Sequence, residues 1–278
     1  EVYFMEGIIE KSSSNHKLVL DNYCKLIICH EEILSRIVKC FIDEANHLTL
    51  NEIERLIKEK KSFQHLDKEN FIPYSGKTNY DFLCTIDLSQ RIYLNVEIQN
   101  DPNPGYSLIT RGLTYISRIM TTQWKNEYYD YDYNHIKKVY SIWILPQSAK
   151  KNDGHINAYK IDEININGTT IERIETYDKG VLIMIYLNKE HDTNEKYIIY
   201  DNILTPLVAF LNNVLSYQEK RKIMKEYGFE EIEKEVKKMC NLGEMITREN
   251  IEKGHSMGLE QGQKLERRKK NIELITNL

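Results

Sequence analysis

Hydrophobic positions along this chain change period several times, and each change marks an element. Over residues 24–42, Ile27, Ile33, Leu34, Ile37, Val38 and Phe41 recur at spacings of three and four, which predicts one amphipathic helix packed on a sheet. Ile53, Leu56 and Ile57 make a second stripe behind Thr49, whose hydroxyl can cap a helix start, so a short helix is expected over 50–60. From Thr78 the period becomes two. Tyr80, Phe82, Cys84 and Ile86 alternate with Asn79, Asp81, Leu83 and Thr85, and Ile92, Leu94, Val96 and Ile98 alternate with Tyr93, Asn95, Glu97 and Gln99. These are two strands of a hairpin.

Turn residues follow at 101–105, and then helical spacing returns. Ile109, Leu113, Ile116 and Met120 form one stripe of that helix; Arg111, Tyr115 and Arg118 form another. Residues 139–145 and 181–187 are short, nearly continuous apolar runs, as in strands buried on both faces of a sheet. The alternation of helices and strands indicates an α/β protein. From about Tyr217 charge dominates, which reads as a solvated helical extension. The expected organisation is therefore a folded domain over 18–216 and a charged helical tail over 217–278. Within that tail Gly254, Gly258 and Gly262 recur every four residues. If helical, they line one face and allow a second helix to approach closely, a route to a homo-oligomer; a frayed tail is the alternative.

Composition narrows the function. The 278 residues are 41% hydrophobic and 29% charged, a balance that fits a packed domain. No apolar run approaches the roughly 20 residues that span a bilayer and no signal-peptide pattern is evident, so a cytoplasmic protein without a membrane partner is expected. The five cysteines are widely spaced without a C-x-x-C pair, and the histidines are scattered, which argues against a zinc site. A net charge of −4 argues against coating nucleic acid by charge alone, but not against a locally basic site. Ser75-Gly76-Lys77-Thr78 lacks the earlier Gly and the following helix of a phosphate-binding loop.

The hairpin holds the candidate chemistry. A tip at Ser89 sets Asp81 opposite Glu97, with the two Cβ atoms about 5 Å apart, where like charges destabilise a sheet. A cation between them removes that conflict. Gln99 shares the face of Glu97 and can hold a water beside the same ion. With the other face apolar, a one-residue slip would bury the acids, so the acidic face is expected toward solvent. Oxygen donors suit Mg²⁺ or Mn²⁺, which supports phosphodiester hydrolysis by activating water and stabilising charge on the phosphorus oxygens. An ordinary acidic solvent face is the alternative.

Asp81 within Y-D-F-L, the V-E-I-Q-N of residues 96–100, the R-G-L-T-Y of residues 111–115 and the Gly-spaced tail resemble the recombination-promoting nuclease (Rpn-type) and transposase family of the PD-(D/E)XK superfamily. The likeness spans roughly residues 18–265, and its specific part is the hairpin with the helix after it. It implies a restriction-endonuclease-like core, with a mixed central sheet flanked by helices. It also implies DNA as the partner, and recombination, mobile elements or defence as the setting. Asp81 matches the family's metal-binding Asp, and Glu97 the acid of its E-x-Q motif. Gln99 stands where many relatives of the wider superfamily carry Lys; because Gln cannot offset charge, the resemblance implies either slower catalysis or another cation, for which Lys77 and Arg111 are candidates. Arg111, Tyr115 and Arg118 suit phosphate contacts, or an ordinary solvated face. Glu32, with Glu31 beside it, is the candidate third acid. The reading is a Mg²⁺-dependent endodeoxyribonuclease; the alternative is an inactive nuclease fold that serves as a binding or assembly module.

Overall fold

A computed structural model describes residues 16–59, 63–66, 69–72, 76–124, 126–128, 130, 132–147, 150–152, 154–187, 201–211, 215–241, 258–259 and 261–265. Residues 24–233 form one compact unit, and residues 1–23 with 234–278 form another. The larger unit is mixed α/β: a six-stranded mixed sheet flanked by helices.

The opening helical stretch is two helices rather than one. α1 is His16–Ile28 and α2 is Glu31–Phe41. The break falls at His30, whose backbone is extended (φ −66°, ψ 138°) and whose Nδ1 accepts the Glu32 N–H at 3.4 Å. A side chain that caps a new helix competes with continuation of the old one. α3, Leu50–Lys58, begins as expected on Thr49: its hydroxyl accepts the Glu52 N–H while the Glu52 carboxylate accepts the Thr49 N–H at 2.7 Å.

β1 (Phe63–His65), β4 (Phe82–Asp87), β5 (Arg91–Ile98), β6 (Val139–Leu145), β7 (Ile156–Lys160) and β8 (Gly180–Tyr186) make the main sheet in the order β1-β4-β5-β6-β8-β7. β2 (Glu69–Ile72) and β3 (Gly76–Asn79) pair separately. The alternation from Thr78 is thus divided between two sheets, with a bend at Asp81 between them. The hairpin register is the one the sequence predicts. Phe82 pairs with Val96, Cys84 with Leu94 and Ile86 with Ile92, which sets Asp81 against Glu97 at the open end.

β5, β6 and β8 run parallel. Parallel neighbours need a crossover, and α4 (Leu108–Thr122) supplies the one between β5 and β6. α4 packs on β6 and β8 through Leu108, Gly112, Tyr115, Ile116 and Ile119, while Leu113 is 47% exposed. Its buried stripe is therefore rotated from the expected one through Ile109, Leu113 and Met120. Gly112 explains the rotation: a Cβ there would stand 2.5 Å from Leu182 Cδ1 and 3.2 Å from Trp143 Nε1, so the helix rests on the sheet at its smallest residue.

Between β7 and β8 the chain forms an exposed arm ending in a short helix α5, Ile174–Tyr177; Ile164, Ile166 and Ile171 on it are open to solvent. α6 (Asp201–Leu211) and α7 (Tyr217–Glu226) complete this unit. α7 starts the charged stretch, yet its Lys220 is buried and donates to the Phe210 carbonyl at 3.1 Å. In the second unit, residues 258–259 and 261–265 are helical, and a Cβ added at Gly258 or Gly262 meets nothing within 4 Å. Gly254 lies outside the described residues. No helix among the described residues is long and apolar enough to cross a membrane.

Candidate functional site

Both faces of the β4–β5 hairpin are covered, because α4 lies over the face expected to meet water. Glu97 is consequently buried, at 4% exposure, and Leu83, Tyr93 and Asn95 are buried on the same side. The expectation of a solvent-facing acidic stripe does not hold for Glu97. The register is kept instead by a polar network that satisfies the acid inside the fold.

That network starts where the β4–β5 ladder ends. The Asp81 backbone N–H donates to Glu97 Oε1 at 3.1 Å, and the Ile98 N–H donates to Asp81 Oδ2 at 3.0 Å. Glu97 is thus bound by the main chain of Asp81, at the bend before β4, and Asp81 by the main chain of Ile98 in β5. Lys25, in the last turn of α1, places Nζ 2.9 Å from Asp81 Oδ1. Asn95, two residues before Glu97 on the same face, has its amide satisfied at both ends in one orientation: it donates to Glu97 Oε1 at 2.9 Å and to the Phe82 carbonyl at 3.0 Å, and accepts from Ser141 Oγ at 3.0 Å. Trp143 Nε1 in turn donates to Ser141 Oγ at 2.9 Å. Trp143, Ser141 and Asn95, all fully buried, form a chain that ends on the Glu97 carboxylate. Glu97 Oε2 takes no hydrogen bond among the described residues.

Burial, and secondarily the charge of Asp81, push the Glu97 carboxyl up to about 8, against the pull of the Asp81 N–H, Arg111 and Lys25. Arg111 on α4 donates to the Tyr115 hydroxyl through Nε (3.2 Å) and Nη2 (2.7 Å), and to the Tyr106 hydroxyl through Nη1 (3.0 Å). Its guanidinium carbon lies 5.2 Å from both the Tyr115 and Trp143 ring centres. Tyr115 also meets Tyr80 edge to face at 5.2 Å. The aromatic rings thus hold Arg111 near enough for its charge to act on Glu97.

Of the residues singled out from sequence, Asp81, Glu97, Arg111 and Tyr115 come together. Tyr115 does so from the core rather than from a solvated phosphate-facing stripe, and neither acid bonds Arg118, which is half-buried on α4. The Gln99 amide donates to the Asp101 carbonyl at 2.7 Å. The side chain of Lys77 lies outside the described residues. Glu32 is not a third acid of this site. Its carboxylate accepts the backbone N–H groups of Glu230 (2.8 Å), Glu231 (3.2 Å) and Ile232 (3.0 Å), which anchors the turn after α7. Arg36 assists by donating to the Tyr227 carbonyl at 2.9 Å.

Sequence reading missed Lys25, Asn95, Ser141 and Trp143. Ser141 does leave a signal, since it is a lone polar residue in an apolar run that reads as buried; Asn95, on the polar face with Glu97 and Gln99, does not stand out. Lys25 leaves none.

The donor set fits a hard divalent cation. Two carboxylates stand at adjacent strand ends, one with an oxygen that takes no hydrogen bond among the described residues, and oxygen donors are what Mg²⁺ or Mn²⁺ takes. Among the described residues no group of three or more His, Cys, Asp or Glu is arranged for a metal, so water and substrate oxygens would complete the shell. No family model, no curated protein and no solved structure matches this chain.

Proposed function

We propose that this chain is a divalent-metal-dependent endodeoxyribonuclease with a restriction-endonuclease-like core of the PD-(D/E)XK type, similar to the recombination-promoting nuclease and transposase family. The observation that carries the reading is the tie between Asp81 and Glu97 through main chain: Glu97 accepts the Asp81 N–H, and Asp81 accepts the N–H of Ile98, the residue after Glu97. Main chain ties the two carboxylates together, and a cation between them would relieve the repulsion that adds to burial in keeping Glu97 protonated. Asp81 and Glu97 would hold Mg²⁺ or Mn²⁺, which when bound supplies an activated water and a counter-charge for the phosphate. Asn95 fixes the Glu97 carboxylate, and the ring-braced Arg111 adds a fixed positive charge beside it. Gln99 is assigned no step, because its amide is committed to the Asp101 carbonyl.

One observation favours a second reading, an inactive nuclease fold that binds DNA or a partner: Lys25 already neutralises Asp81, and Glu97 keeps its proton near neutral pH, so the pair is satisfied without an ion. Purified protein incubated with supercoiled and single-stranded DNA in Mg²⁺, Mn²⁺ or EDTA, beside the Asp81→Ala/Glu97→Ala double variant, separates the two. Metal-dependent cleavage that disappears in the double variant is expected. Folded protein that cleaves under none of these conditions refutes the enzyme reading and leaves the binding module.

A further inference from the structure

We infer that Lys25 is a catalytic residue of this site: the mobile positive charge that sits on Asp81 before a cation binds and meets a phosphate oxygen of the substrate afterwards. This rests on the hydrolase reading above. Hydrolysis of a phosphodiester adds a water oxygen to phosphorus and breaks one P–O ester bond. The electron pair of that bond stays on the leaving oxygen, which takes a proton, while the attacking water gives one up to solvent. Lys25 moves no proton in this scheme; its role is to offset the negative charge that grows on the phosphorus oxygens.

The cationic groups near the acids differ in what they can do. Arg111 spends Nε and both terminal nitrogens on the Tyr106 and Tyr115 hydroxyls, so its guanidinium is held in one plane against the rings. Gln99 has no charge and is bound to the Asp101 carbonyl. Lys25 carries a compact ammonium on a flexible stem and contacts an acid directly, at 2.9 Å. Exposure is graded in the order such a role requires. Glu97 is closed off, at 4%, whereas the Asp81 and Lys25 side chains are 19% and 27% open, so a phosphodiester arriving from solvent meets the ammonium before it meets Glu97. The ion pair also makes Lys25 a competitor: a divalent cation seeking Asp81 Oδ1 faces a positive charge already placed there.

Competition before substrate binds, and assistance afterwards, predict opposite changes in two measurements on the full chain. Lys25→Gln is expected to tighten Mn²⁺ binding, read by calorimetry without DNA, by on the order of tenfold, because a positive charge is removed from beside the site. At saturating Mn²⁺ the same variant is expected to cleave DNA about a hundredfold more slowly. Lys25→Arg keeps the charge; its Mn²⁺ affinity is expected to stay within about twofold of the parent, with part of the cleavage retained. A lysine that only braces the fold would move both readings down or neither. Lys25→Gln that melts with the parent and cleaves at the parental rate overturns the proposal, as does Mn²⁺ affinity that is unchanged or weaker in that variant. If the parent itself cleaves nothing, the hydrolase reading fails separately, and the Mn²⁺ comparison still decides whether Lys25 competes for Asp81.

Discussion

Glu97→Gln should make this protein more stable, by an amount that grows with pH. A carboxyl raised from 4.5 to about 8 is one that the fold holds in its neutral form, chiefly through burial and secondarily through Asp81. Because the folded pKa lies above the unfolded one, the folded state binds more protons between the two. The stabilisation from the neutral acid is complete below about pH 4.5 and is lost as pH rises toward 8. Each tenfold difference in proton affinity between the folded and the unfolded chain corresponds to about 1.4 kcal/mol, which sets a ceiling of about 5 kcal/mol on the loss. Gln has the same shape, keeps an oxygen to accept the Asp81 N–H and the Asn95 amide, and never ionises. Urea unfolding of both proteins in EDTA, from pH 5 to pH 9, measures the difference directly. The advantage of the variant is expected to be under about 1 kcal/mol at pH 5, to rise by up to about 1.4 kcal/mol per pH unit, and to level off above pH 8. Parallel stability curves across this range would refute the reasoning, because they would mean that Glu97 is ionised in the fold as readily as in the unfolded chain. The opposite slope would place its folded pKa below 4.5, with the Asn95 and Asp81 donors outweighing burial.

Gly112→Ala puts a Cβ into the buried Leu182 and close to Trp143; despite a better helix propensity, a net loss of about 1–3 kcal/mol is expected from thermal or urea unfolding, and an equal or higher stability would show that α4 can lift without cost. Glu32→Ala leaves three backbone N–H groups at 230–232 without their carboxylate, so a loss of about 1–3 kcal/mol is expected with no change in Mn²⁺ affinity. Weakened Mn²⁺ binding in a folded Glu32→Ala protein would restore Glu32 to the metal site.

Much of the frame was legible in the residue order because it depends on local rules. Period-two alternation around Ser89 specified the hairpin and its register, and hence the pairing of Asp81 with Glu97, since a slip by one residue inverts every side chain. Thr49 marked the start of α3, and the nearly continuous apolar runs marked β6 and β8 as strands covered on both faces. Periodicity along one strand says which residues share a face, but not what lies over that face. Only tertiary structure laid α4 on the acidic side, with Gly112 as the contact, and turned an expected solvent stripe into a buried acid with a raised pKa. Only tertiary structure brought Lys25 to Asp81 and sent Glu32 to the turn after α7, because both pairings join residues far apart in sequence, and no spacing rule reaches across a chain closure. Residue order thus determined the strand pairing and the identity of the acids; packing decided their protonation, their counter-charge and which polar neighbours hold them.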